Sequence, residues 1–189
     1  MPRSLFFTTG RWEKTVARAS AELAGLPADD RYWLEARLTV IRNLQIAMDR
    51  LFRQAGGPEL CVACPDCCCG CGRHHFTLTN LLLSLVEALD LPSPDYRQTC
   101  PYLGRQGCRL AAAQRPYNCI SFICGDVEGQ LEARDRKAFY RLDELLRREY
   151  EAIAARYPAA SLRGLLIAEE RNGDRPLLRP SALGCKLTS

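Results

Sequence analysis

Six cysteines crowd into residues 61–71, and this run constrains the fold more than any other part of the chain. Such a stretch offers little apolar surface for a core of its own, so its stability has to come from something it binds. Neighbouring thiols such as Cys67, Cys68 and Cys69 are poor disulfide partners for one another on geometric grounds. The full count is eleven cysteines in 189 residues. That count is odd and the chain is long, unlike a short secreted disulfide scaffold. The opening residues 1–10 hold one basic residue and an apolar run too short for a signal-peptide core. No window approaches the ~18 apolar residues of a membrane span, and Ser84, Glu87 and Asp90 interrupt the greasiest stretch, residues 81–91. These features predict a cytoplasmic protein with reduced thiols, where crowded cysteines read as metal ligands.

The rest of the chain reads as helix. Trp12, Val16, Ala19 and Leu23 make one stripe of a helix over residues 11–24, ended by Gly25-Leu26-Pro27. Asp29 or Asp30 is the expected cap of a longer helix to about residue 53. Its apolar positions, among them Leu34, Leu38, Ile41 and Met48, keep the 3.6-residue period. Gly56-Gly57-Pro58 stops it. Thr79 is the expected N-cap of a helix through Leu89, and a short helix near residues 109–114 should end before Pro116. An amphipathic helix is expected over about 132–157, and Ser161 caps a last one over 162–170. No β-alternation is evident. The predicted fold is mainly α, with helices packed around two cysteine-rich metal-binding loops in one compact domain. Its parts are an N-terminal helical hairpin (1–58), a cysteine-cluster segment (59–125), and C-terminal helices with a tail (126–189). The helices near 30–53 and 137–157 are expected to pack together, since neither apolar stripe can stay exposed.

The first half of the cluster is Cys61-x2-Cys64-x2-Cys67-Cys68, followed by Cys69 and Cys71; the second is Cys100-x7-Cys108-x10-Cys119-x4-Cys124. A Cys-x2-Cys turn points two sulfurs at one centre, the building block of zinc and iron–sulfur sites. One tetrahedral zinc or one cubane takes four thiolates, so eight predict two sites, or one cluster with a supporting site. Cys67 and Cys68 can divide between two centres, because adjacent side chains of extended backbone point to opposite sides. The two halves are expected to meet and share a metal centre. Closing the loops around Cys108 and Cys119 costs entropy, and joining a preformed knuckle offsets it. Two shorter matches lack their context. Cys61-x2-Cys64-x2-Cys67-x3-Cys71 has bacterial ferredoxin spacing, but Gly72 follows where proline is expected. Cys64-x3-Cys68-x2-Cys71 has the spacing of radical enzymes that use S-adenosylmethionine, which need a βα barrel.

In order, Cys61, Cys64, Cys67, Cys68, Leu78-Thr79, Cys100-Pro101-Tyr102-Leu103, Cys108, Arg115-Pro116-Tyr117-Asn118-Cys119 and Cys124 resemble the YkgJ-type cysteine-cluster family. Its members are described as zinc- or iron-chelating proteins with a CxxCxxCC motif. The resemblance covers residues 59–125. It implies metal binding through these eight cysteines and no settled activity. Flagellin lysine methylases carry a related motif over that segment. Ile120 departs from the arginine usual at its position, and Cys69 and Cys71 are additional, either as ligands or as small buried residues.

An iron–sulfur cluster is favoured over zinc. Cys100-Pro101 echoes the Cys-Pro end of ferredoxin runs, and long loops leave room for a cluster; zinc stays the alternative because Cys-x2-Cys pairs are standard zinc knuckles. His74 and His75, the only histidines, are expected at the surface or hydrogen-bonded to a cluster sulfur rather than as ligands. Arg109 and Arg115 either offset the charge of a thiolate site or are ordinary helix-end charges. Tyr102, Tyr117 and Phe122 are expected to shield the site, Asp66 to sit in a turn, and Cys185 to be a buried small hydrophobe. The formal charge of +4, with arginines spread at helix-face spacing, does not point to nucleic acid. No membrane is expected, and a protein partner stays open. No Ser/His/Asp set, phosphate-cradling glycine loop or paired catalytic carboxylates stands out. Three readings of function follow: a metal-binding module, a structural zinc interaction module, and a cluster-dependent redox or methyl-transfer enzyme.

Overall fold

Leu34, Leu38, Ile41 and Met48 recur every three, four or seven residues, and all four are fully buried. They form the inner stripe of α2 (Ala28–Gln54), the longest helix of a computed structural model that describes residues 9–63 and 68–181. The described residues are mainly helical, as the apolar periodicity predicts. α1 (Thr9–Ala24) precedes α2 and buries Trp12, Thr15, Ala19 and Leu23. The cap of α2 differs from expectation. Pro27 holds the N-cap position, and Asp29 and Asp30 lie in the first turn, where carboxylates favour the positive end of the helix. α2 ends where Gly56 takes a left-handed φ of 67°, a conformation glycine adopts without steric cost.

The chain does not enter a loop there. α3 (Gly57–Ala63) starts at once and carries Cys61. The residues after the undescribed 64–67 form a 3-10 turn, Cys68–His74, so most of the described first cysteine run is helical. α4 (Leu78–Val86) follows, buried on all sides from Leu78 to Ser84. Its N-cap is Thr77, two residues before the expected Thr79: Thr77 and Asn80 satisfy each other in a capping box. Thr79 is buried, and its hydroxyl donates to the Ala160 carbonyl at 3.3 Å.

The second cysteine segment opens with an antiparallel ladder not foreseen in the sequence. β1 (Leu103–Gly104) pairs with β2 (Gly107–Cys108), Leu103 opposite Cys108. Next come a 3-10 turn (Ala112–Gln114), α5 (Tyr117–Ile120) and α6 (Gly125–Gln130). α7 (Ala133–Arg156) buries Phe139, Leu146, Tyr150 and Ile153 and packs along α2, as expected. Arg156 pairs with Asp30, and Arg37 with Glu149 at 2.8 Å. The start of one helix therefore meets the end of the other, and the two run antiparallel. The chain finishes with a 3-10 turn (Pro158–Ala160) and α8 (Leu165–Asn172), which starts after Gly164, later than the expected Ser161 cap. Among the described residues, no helix is long and apolar enough to cross a membrane.

Candidate functional site

Cys119 sits in α5, and its position is fixed from behind by a buried polar network. The Asn80 amide of α4 donates to the Arg115 carbonyl at 3.2 Å, to the Gln114 carbonyl at 3.4 Å and to the Tyr150 hydroxyl at 3.0 Å. The Gln45 amide of α2 donates to the same Arg115 carbonyl. Arg115 reaches Asp49 of α2 at 2.8 Å, and the Gln114 amide donates to the Asp90 carbonyl at 2.9 Å. Asn80, Gln45 and Gln114 are all buried. Removing one partner from such a network leaves the others unsatisfied, at roughly 1–3 kcal/mol each. Residues 114–116 are thus held rigidly, and the Cys119 N–H donates to the Pro116 carbonyl at 2.8 Å to start the α5 turn.

Several thiols from separate segments act electrostatically on Cys119. Although solvent reaches the residue, the protein around its thiol pushes its pKa up to about 12, first by burial and then through Cys108, Cys100 and Cys69, against the opposing pull of Arg115. These thiols come from the 3-10 turn, the loop before β1, β2 and α5, so both halves of the cysteine pattern meet. His75 joins them, with Nδ1 3.3 Å from the Cys119 sulfur. Burial lowers the pKa of His75, which favours the neutral ring.

Two close approaches and an aromatic cluster hold this arrangement. A Cβ on Gly72 would stand 2.9 Å from the Cys100 sulfur, and one on Gly164 would stand 2.5 Å from the His74 carbonyl oxygen. Both glycines let backbone pass where a side chain would not fit. Behind the thiols, Phe76 lies 5.3 Å from Trp12 and 5.2 Å from Tyr102 between ring centroids, so α1 braces residues from both halves. The Arg109 N–H donates to the Tyr102 carbonyl at 2.8 Å, which extends the β1–β2 ladder beside Cys108.

Of the eight expected ligands, Cys100 and Cys108 lie near enough to Cys119 to raise its pKa, though not as a metal-holding group among the described residues. Cys61 is exposed on α3, which packs against β2 and α6. Cys68 is exposed at the start of its 3-10 turn, and Cys124 is half-buried at the N-cap of α6 against the apolar core. Cys64 and Cys67 lie outside the described residues, as do Asp66 and Cys185. Cys69 and Cys71 are exposed and not small buried residues, and Cys69 joins the group around Cys119. Among the described residues, no three His, Cys, Asp or Glu side chains are placed to hold a metal ion. Arg115 faces the site, whereas Arg109 donates to the Ser93 carbonyl at 2.7 Å. Tyr102 is buried and Tyr117 half-buried, but Phe122 is 55% exposed and shields nothing. The buried amides Gln45, Asn80 and Gln114 were not singled out from sequence. Their only signal there is polarity inside otherwise apolar helical stripes. No family model, curated protein or solved structure matches the chain.

Proposed function

We propose that this chain is a metal-binding protein that holds an iron–sulfur cluster through its paired cysteine motif, with helices packed around the two cysteine-rich segments. The observation that carries the reading is that the end of the first cysteine segment meets the second: a Cβ on Gly72 would stand 2.9 Å from the Cys100 sulfur, His75 lies 3.3 Å from the Cys119 sulfur, and Cys69, Cys100 and Cys108 all raise the Cys119 pKa. Thiols that raise one another's pKa resist ionising together, and a bound cation or cluster reverses that by accepting them as thiolates and releasing their protons. The donors are all soft sulfur, which fits iron–sulfur centres and zinc. Ligands are drawn from Cys61, Cys64, Cys67, Cys68, Cys100, Cys108, Cys119 and Cys124, and Cys69 belongs beside them. The order of the eight, shared with the YkgJ-type pattern, supports the same reading. His75 serves as a hydrogen-bonding partner of a ligand sulfur and favours one orientation of it. A reducing compartment such as the cytoplasm suits these thiols.

The test is purification without oxygen, followed by elemental analysis and a visible spectrum. Iron with sulfide and broad absorption near ~400 nm are expected for thiolate-bound clusters. Stoichiometric zinc without colour would replace the cluster by a structural zinc site. Folded protein with every thiol free and no metal would defeat both.

A further inference from the structure

The chain also contains a cavity lined by none of the described cysteines. It measures about 480 Å³ and lies between the Pro158–Ala160 turn, α8 and the segment that runs on to Ser181. Its size falls in the range of small-ligand pockets, roughly 300–1,000 Å³. Arg163, Arg171, Arg175 and Arg179 line it, and no acidic residue among the described ones does. Part of the lining is apolar: Ala159, Ala168 and Leu177 are all buried.

The four arginines are exposed, and together they set up a positive field around the cavity that attracts an anion. Of the neighbouring acids, Asp174 is exposed beside Arg175 in the chain, and the two of α8 are engaged elsewhere. Glu169 of α8 pairs with Arg11 of α1 at 2.7 Å, and Glu170 lies 3.7 Å from the same guanidinium. Arg175 is held by main-chain carbonyls, donating to those of Asn172 at 3.0 Å and Arg171 at 3.2 Å. Arg163, Arg171 and Arg179 have no side-chain partner among the described residues. The wall itself is fixed. Arg18 donates to the Gly173 carbonyl at 3.0 Å, and the Leu178 and Ser181 N–H groups donate to Glu22 at 2.9 Å and to the Arg156 carbonyl at 2.7 Å.

We propose that this cavity binds a small organic polyphosphate. Guanidinium groups match phosphate oxygens in charge and in bidentate geometry. Four of them call for more charge than a single phosphate carries, at about −1.5 to −2, and the apolar part of the lining takes the carbon part of the ligand. The site is independent of the metal reading.

The test is calorimetric titration of the full chain with adenosine triphosphate and, separately, with inorganic pyrophosphate at physiological ionic strength. Saturable one-to-one binding is expected, and Arg163→Ala with Arg179→Ala should weaken it at least tenfold. Both side chains are exposed and unpaired among the described residues, so the fold should persist; an unchanged circular-dichroism melt checks this. The control removes the same charge from exposed α7 positions, Arg134→Ala with Arg141→Ala, and should leave affinity unchanged. No saturable binding of either phosphate compound would overturn the proposal. So would equal losses in both double variants, or displacement of the nucleotide by an equal concentration of sulfate. A single-stranded oligonucleotide that binds more tightly than the triphosphate through the same arginines would reassign the site to nucleic acid.

Discussion

Gly72 shows how little room the thiol group leaves. With a methyl at this position 2.9 Å from the Cys100 sulfur, Gly72→Ala should destabilise the fold by about 1–3 kcal/mol, the usual cost of overpacking. A urea midpoint that falls at constant slope would show it, and wild-type stability would mean that Cys100 can move aside. The Cys119 thiol gives a pH test. Its pKa in the folded chain lies above the ordinary 9.0 and reaches about 12, so the metal-free folded state holds that proton more tightly than the unfolded one. The resulting stabilisation is complete below pH 9.0 and is lost as pH climbs through that interval. The melting temperature of metal-free wild type should therefore fall more steeply with alkali than that of Cys119→Ser; parallel slopes would remove the effect. At this scale the sequence was readable in part. Thiol crowding and the hydrogen bond between a histidine and a sulfur follow from residue types near the motif, which leave Arg115 open between a site charge and a helix-end charge. The roles of Gly72 and Gly164 do not, because a glycine's lack of a side chain matters only once its spatial neighbour is known.

At the scale of elements, the polar contacts of α4 can be broken singly. Asn80→Ala removes a donor to the Arg115 and Gln114 carbonyls and to the Tyr150 hydroxyl, together with its share of the capping box at Thr77. A loss of about 2–3 kcal/mol is expected from unsatisfied buried groups. Tyr150→Phe, which removes one acceptor and leaves the carbonyl contacts, should cost less; denaturant titration of both variants orders them, and the reverse order would contradict the network's geometry. α1, α2 and α7 were legible because sixteen or more residues of apolar period leave a clear stripe. The hairpin was not, since two-residue strands are too short to alternate. Cys68–His74 carries cysteine and glycine but no apolar period, so nothing in it announces a 3-10 turn. Thr77 and Thr79 are both threonines beside an apolar run, and only the reciprocal bond with Asn80 marks Thr77 as the cap.

For the whole molecule, metal and fold should be linked. Protein isolated with metal should melt several degrees above the same chain stripped by a chelator, because anything bound only to the folded state adds to its stability. Equal melting temperatures would leave the thiols without a stabilising ligand. The α2–α7 pairing should carry more of the stability than the site does. Leu38→Ala, fully buried on α2, should cost about 2–5 kcal/mol whether or not metal is bound, read from denaturant curves in both states. The grouping around Cys119 also bears on how the chain is made. Its thiols extend from residue 69 to residue 119, and the hydroxyl behind them belongs to Tyr150. On the ribosome the first cysteine run emerges well before its partners and before the wall that positions them. The nascent chain therefore carries the Cys69 thiol before Cys119 and Tyr150 have been made, and this grouping takes shape only after residue 150 has emerged.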